Sequence, residues 1–312
     1  MRIAVVGAGG VGGYFGARLV AAGEEVAFIA RGAQLDALRT RGLRIESVVG
    51  DLALGPQWAT DRPAEVGPVD AVLVAVKTWH LPEVIPSLPP LLGPDTCVVP
   101  FLNGVEAADQ LAEALGAAHV LEGIAKIVSY IVAPGHIKQL GGPTSAAFAE
   151  RDDRPSPRVD RLRDAFRRAG LGVETPPNIQ VALWEKFLFV VSGGGVGSLS
   201  RAPIGISRAV PETRALLERA MREIEAVGRA RGVPLPEDVV PRTLAFVDTL
   251  PPAGTASLQR DIAEGKPSEL ESWNGAVVRL GRAAGVPTPV HETIYQALLP
   301  LELRARGRLA FP

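Results

Sequence analysis

The chain has one cysteine, two methionines and four histidines in 312 residues. A lone cysteine closes no intrachain disulfide and fits a reducing compartment. Cys97 lies in the apolar run Thr96-Cys97-Val98-Val99, which marks it as a small buried hydrophobe rather than a nucleophile. Charge of one sign is also missing. The 33 basic and 34 acidic residues leave a net charge of −1, so composition does not point to nucleic acid or an anionic lipid surface. No apolar run is expected to span a membrane, and no charged-then-apolar leader is expected ahead of the first strand. No metal site, internal repeat or low-complexity tail is expected. What is there has an ordinary globular balance, 47% hydrophobic and 21% charged, with length enough for two domains. The expectation is a cytoplasmic, soluble protein.

The chain opens on an aliphatic run over residues 2–7, RIAVVG, with the length of a buried parallel strand. A glycine cluster follows, then GYFGARLVAAG, with apolar positions at helical spacing up to Gly23. A second apolar run covers Val26 to Ala30 and ends at Arg31. Strand, turn, helix and strand within about thirty residues make one βαβ unit. The runs Asp70-AVLVAV-Lys77 and Cys97-VVPFLNG repeat the form of an apolar strand with polar residues at its end. This alternation implies an α/β fold, a doubly wound parallel sheet covered on both faces. The segment from Ala117 to Glu150 has further short apolar runs around a Pro134-Gly135 turn and is expected to extend that sheet. Beyond the exposed loop RDDRPSPR (151–158) and the breaker VETPPNI, the character changes. Helical stretches at 180–191, 211–232, 237–248, 268–285 and 289–305 replace the strands. A Rossmann-type domain over 1–176 and an all-helical domain over 177–312 are expected.

The glycine cluster Gly7-Ala-Gly9-Gly10-Val11-Gly12 lies between the first strand and the first helix, the context that gives such a cluster meaning. Gly7 permits the tight turn, Gly9 lets backbone approach a pyrophosphate, and Gly12 lets helix and strand pack closely. The pyrophosphate would rest on free N–H groups at the helix N-terminus, which favours negative charge. Where an NAD site places a carboxylate for the ribose 2′-hydroxyl, this chain has Arg31, nineteen residues past Gly12. A guanidinium would pair with a 2′-phosphate, so NADP(H) is the expected cofactor. Lys77 and Asn103 stand at the carboxyl ends of later strands, where open parallel sheets place their ligands. Lys77 would lie along the cofactor or face substrate, and Asn103 would orient the nicotinamide ribose or the substrate.

In the helical half, NIQVALWEKFLFVVSGGGVGSLS is apolar except for Glu185-Lys186 between Trp184 and Phe187. A lysine partly withdrawn from water is a usable proton donor, although a snorkelling side chain at a helix edge reads the same way. ASLQRDIAEGKPSELESWNG gathers Ser257, Asp261, Glu269 and Asn274. Glu269 and Asn274 are five apart, so on one α-helix they would point about 140° away from each other.

Taken together, GAGGVGGYFGARL, VAVKT (74–78), LNG (102–104), LWEKF (183–187) and SLQRDIAEGKPSELESWNG resemble the ketopantoate reductase family, the 2-dehydropantoate 2-reductases, over nearly the whole chain. The resemblance implies a Rossmann domain, a helical domain and NADPH-dependent reduction of a 2-oxo acid in a cleft, by default ketopantoate to pantoate in pantothenate biosynthesis. It makes Lys186 the general acid and has Asn103 assist at cofactor and substrate. Glu269 would hold Lys186 or bind a substrate hydroxyl. It places Ser257 on the substrate carboxylate, Asn274 among the substrate-binding residues, and Lys77 by the cofactor. A homodimer through the helical domain would be compatible with it. The chain departs from the family where members carry asparagines one and two turns after the lysine. Here those positions are Val190 and Gly194, followed within the run Gly193-Gly194-Gly195. Losing two amides favours bulkier or more apolar 2-oxo acids. Two alternatives therefore stand beside the default: a reductase of another, less hydroxylated 2-oxo acid, and a nucleotide-binding sensor without catalysis.

Overall fold

Short β-branched runs with little room for polar residues become strands buried on both faces. In the computed structural model, which describes residues 1–311, β1 (Arg2–Val6), β2 (Glu25–Ile29) and β6 (Val69–Val74) are of this kind, and β3 (Leu43–Ser47), β4 (Leu52–Leu54), β5 (Ala59–Thr60) and β7 (Leu92–Pro100) are the other strands of this part. Helices α1 (Gly10–Ala21), α2 (Gly32–Thr40) and α3 (Leu81–Val84) lie between strands, and α4 (Ala107–Leu115) follows β7. One sheet has the order β5-β2-β1-β6-β7 with every neighbouring pair parallel. The order runs outward from β1 in both directions, which places a topological switch point between β1 and β6. Ala4, Val5, Val72 and Val74 are completely buried, as a sheet covered on both sides requires.

The stretch from Ala117 to Glu150 does not extend this sheet. Its strands β8 (Leu121–Lys126), β9 (Ser129–Ala133), β10 (His136–Gln139) and β11 (Ser145–Glu150) enter two smaller sheets. The Pro134-Gly135 turn closes β9 onto β10 as an antiparallel pair, and β10 runs parallel to β3, itself paired with β4. β8 pairs antiparallel with β11, which takes β12 (Gly172–Glu174) on its other side. A short connection favours antiparallel pairing, whereas joining a parallel sheet needs a crossover. Among the described residues, the β-bridge that ties this stretch to the main sheet joins Val98 to Val120. Helix α5 (Pro157–Arg168) precedes β12, and its N-cap Ser156 accepts from the Val159 N–H.

Aromatic residues are few but concentrated. Phe15, Phe101, Phe148 and Phe166 form one cluster with ring centroids 5.2–6.3 Å apart, joining α1, the end of β7, β11 and α5. Cys97 is fully buried in the same core, where burial pushes its thiol pKa up to about 12.

The chain divides into two compact units. One comprises Met1–Leu102 and Glu106–Ile179; the other takes Asn103–Val105 and everything from Gln180 onward. The second unit is helical: α6 (Ile179–Ser200), α7 (Ile204–Ala209), α8 (Pro211–Ala230), α9 (Val239–Thr249), α10 (Ser257–Ala263), a π turn (Glu271–Gly275), α11 (Ala276–Ala284) and α12 (Pro289–Ala305). Helix α6 corrects one expectation, because it has 22 residues, with an 18-residue stretch of mean hydropathy 1.2, and is by length and composition long and apolar enough to cross a membrane. Its packing accounts for that composition. Trp184, Phe187, Leu188, Val191 and Val196 all enter the core of this unit, and a helix buried on most sides is apolar all round.

The glycine run does not break α6. A Cβ on Gly194 would lie 2.7 Å from Trp273 Cζ3, and one on Gly195 would lie 2.7 Å from Asn274 Nδ2. The run is the seat on which the π turn packs. Each interior glycine weakens the helix by about 0.5–1 kcal/mol relative to alanine, a cost offset at Gly194 and Gly195 by that close contact.

Candidate active site

The glycine turn has the shape its sequence predicts. Gly7 has φ +96°, and a Cβ there would meet Ala75 O at 2.8 Å. A Cβ on Gly12 would strike Gly7 O at 2.2 Å, so strand end and helix start touch backbone to backbone. Gly9 faces open space instead. Helix α1 has no side-chain N-cap and no acidic residue in its first turn. The N–H groups of Gly10, Val11 and Gly12 therefore stay available to an anion, and a pyrophosphate fits this cradle. One wall is β9, since a Cβ on Gly10 would lie 2.7 Å from Ser129 O.

Arg31 caps α2 directly after β2. Its side chain is two-thirds exposed and stands 3.6 Å from Glu83, an exposed pair that holds it only weakly. Gln34, one turn further, ties the region together: its amide donates to Ala8 O at 2.7 Å and accepts from Gly135 N–H at 2.9 Å. Sequence reasoning passed over Gln34, whose only signal was a polar residue early in the second helix. Lys77 is exposed just after β6, its Nζ 5.5 Å above the Trp79 ring.

The second constellation lies wholly in the helical unit. Lys186 on α6 is half-buried, and its Nζ donates to Asn103 Oδ1 at 3.2 Å. Asn103 Nδ2 donates to Glu269 Oε2 at 2.9 Å, and Glu269 is only 4% exposed. The amide thus stands between a cation and a carboxylate, and only this orientation presents oxygen to the first and N–H to the second. Glu269 is thus linked to Lys186 through Asn103. Gly104, at φ +95°, lets the loop approach Ser272 O, 3.2 Å from where a Cβ would sit. Glu185 faces elsewhere and pairs with Arg242.

A small pocket opens at this chain of contacts. Asn103, Gly104 and Lys186 form its polar end, and Leu183, Phe187, Val190, Val191 and Trp273 form the rest. Trp273 was missed in the sequence, where a lone aromatic in ESWNG gave no sign of facing α6. It is 1% exposed, and its buried indole N–H has no acceptor among the described residues. Ser257 is half-buried at the start of α10 and is not among the lining residues. The preceding Ala256 packs close to Gly194.

Asn274 does not line this pocket. It is completely buried, and its Nδ2 donates to His291 Nδ1 at 3.0 Å. His291 Nε2 in turn donates to Ala220 O at 3.0 Å. Burial pushes the His291 pKa down to about 4, so the ring is neutral and accepts from the amide. Asn274 therefore belongs to the packing between helices rather than to the pocket wall. The turn separates it from its neighbours: Trp273 N–H bonds to Glu269 O at 3.0 Å, whereas Gly275 N–H bonds five residues back to Leu270 O at 3.0 Å.

Comparison with known proteins agrees with this two-part construction. Residues 3–153 match the model of the family described as ketopantoate reductase PanE/ApbA, and residues 178–302 match that of its C-terminal domain. An uncharacterized oxidoreductase, YkpB, of Bacillus subtilis is 29% identical, with 96% of this chain and 98% of that protein covered. A 2-dehydropantoate 2-reductase of Halobacterium salinarum is 31% identical, with 94% and 96% covered. Among solved structures, a PanE/ApbA family ketopantoate reductase from Ralstonia eutropha superposes with a TM-score of 0.88 at 31% identity, covering 98% of this chain and all (100%) of the other. A D-mandelate dehydrogenase solved with NADH and anilino(oxo)acetate shares the fold, with a TM-score of 0.86 at 19% identity over 98% and 99% of the chains. With a Rossmann-type first unit, a helical second unit and these matches along both, the chain is an oxidoreductase and belongs to the ketopantoate reductase family.

Proposed function

We propose that this protein uses NADPH to reduce a 2-oxo acid to the 2-hydroxy acid, with Lys186 as the proton donor. The observation that carries the reading is the contact chain from Lys186 through Asn103 to Glu269 at the polar end of the pocket. A bound nicotinamide would supply the hydride to the carbonyl carbon. Negative charge then grows on the carbonyl oxygen, where a cationic proton donor stabilises the transition state. Lys186 gives that oxygen its proton, completing the hydroxyl. Asn103 Oδ1 fixes the direction of the ammonium, and buried Glu269 fixes the amide. The glycine turn, Val11 and Lys77 would hold the cofactor, and Arg31 would pair with its 2′-phosphate. Ser257 would meet the substrate carboxylate. Cys97, single and buried, suits the reducing cytoplasm.

Several relatives are named for ketopantoate, as 2-dehydropantoate 2-reductases, and pantothenate biosynthesis would be the setting if it serves here. The second reading, a less hydroxylated 2-oxo acid, is favoured by the Val190 and Trp273 lining. Lys186→Ala tests the shared chemistry. NADPH oxidation with any 2-oxo acid should fall by at least about a hundredfold, on the scale of lost general acid catalysis, while NADPH affinity stays within about twofold. Undiminished turnover would remove Lys186 from its role.

A further inference from the structure

Helix α6 places Lys186, Val190 and Gly194 four residues apart, along one face. Lys186 and Val190 line the pocket; Gly194 sends no side chain there. Its place is taken from the opposite side, because the Cζ3–Cε3 edge of the Trp273 indole lies 2.7 and 3.2 Å from where a Gly194 Cβ would stand. No side chain, polar or apolar, fits at position 194 while the indole is there. The indole is itself immobilised. Trp273 is 1% exposed, and the π turn that carries it packs on the same glycines. Beyond the Lys186 end, Leu183, Phe187, Val190 and Val191 continue the apolar surface.

We infer that Trp273, packed on Gly194, is the specificity-determining residue, and that the pocket selects 2-oxo acids whose side chain is branched aliphatic or aromatic and carries no hydroxyl. The inference rests on the 2-oxo acid reductase reading and adds the substrate class to it. A hydroxyl-bearing tail would surrender its water at this wall, and leaving a polar group unpaired in a closed site costs more than a hydrogen bond gains. An apolar tail loses nothing on entering and gains contact with the ring.

One comparison isolates the point. Trimethylpyruvate is ketopantoate with the terminal hydroxyl replaced by hydrogen, so the pair differs by one polar group. Steady-state NADPH oxidation should give trimethylpyruvate a kcat/KM at least about tenfold above that of ketopantoate. An equal or higher value for ketopantoate would overturn the inference while leaving the reductase reading intact. Failure of both compounds, together with 3-methyl-2-oxobutanoate and phenylpyruvate, would instead defeat the reductase reading itself.

Two variants separate wall from donor. Trp273→Phe keeps an aromatic wall and deletes the buried N–H, so the ratio of kcat/KM for trimethylpyruvate to that for ketopantoate should stay within about twofold of the unsubstituted enzyme. If kcat/KM for ketopantoate alone falls and the ratio widens beyond that, the indole acts as a donor to the hydroxyl and the inference is wrong. Gly194→Ala presses on the indole from behind with a single methyl group. It should change kcat/KM for trimethylpyruvate and phenylpyruvate by different factors while NADPH affinity stays constant. Identical factors for both acids would mean that Trp273 does not touch the substrate tail.

Discussion

Acid should loosen the helical unit through one residue. The His291 ring is completely buried, donating to Ala220 O and accepting from Asn274 Nδ2, and burial depresses its pKa to about 4. In the unfolded chain an imidazole titrates near 6.5. Between those values the unfolded state takes up a proton that the native state refuses. The contribution to stability is therefore fully present above pH of about 6.5 and declines as pH falls, by about 1.4 kcal/mol per pH unit. The decline ends once the native ring also protonates, near 4. Over the whole window the loss is about 3 kcal/mol, against a total stability of about 5–15 kcal/mol for a typical domain. Urea unfolding followed by tryptophan fluorescence, at steps from about pH 7 to about pH 4.5, measures it directly, since Trp184 and Trp273 both lie in this core. In His291→Gln a neutral amide replaces the ring. We expect that variant to start about 1 kcal/mol less stable at neutral pH, from imperfect hydrogen bonds. Its stability should then fall less steeply by one proton, so the two curves cross near about pH 6 and the variant is the more stable by about 1.5 kcal/mol at about pH 4.5. Parallel curves across the window would refute the reasoning, and with it the assignment of Asn274 to a neutral buried pair.

Neighbouring glycines of α6 should respond with opposite signs. Gly193→Ala meets no atom within 4 Å and should stabilise by about 0.5–1 kcal/mol through helix propensity. Gly195→Ala drives a methyl to 2.7 Å from Asn274 Nδ2 and 3.1 Å from Ile294, and should destabilise by about 1–3 kcal/mol; the same sign in thermal melts of both would count against the seat described for the π turn. Arg31→Ala should weaken NADPH binding by about tenfold or more, the scale of a charge-assisted phosphate contact, and leave NADH within about twofold. Titration of cofactor fluorescence distinguishes this from equal losses, which would place Arg31 away from the 2′-phosphate.

The parts of the molecule legible in the sequence are those where one local requirement dominates. The first βαβ unit needs only strand length, helical periodicity and three glycines, two of which, Gly7 and Gly12, have a steric reason of their own. Lys186 stood out because a charge inside an apolar helix needs a partner, although the partner, Asn103, lies 83 residues away in sequence. What could not be read depended on contacts that no spacing encodes. Residues 117–150 left the main sheet because a tight turn and the distant β3 offered nearer partners. Gly194 was visible as an anomaly, but its cause is a tryptophan 79 positions later, pressed against it. Asn274 looked available beside Glu269 until its surroundings showed a buried imidazole.

The five-residue turn at Glu271–Gly275 has a consequence for how this site can change over generations. A π turn holds one residue more than the α-helix around it. Deleting a single codon here would restore ordinary helical pitch and rotate everything before it by about 100° relative to α11. Trp273 and Asn274 would exchange faces or lose them, while the fold could persist. Most proteins alter an active site by substitution, but this segment offers a second route, in which a one-residue insertion or deletion resets the far wall of the pocket in one step.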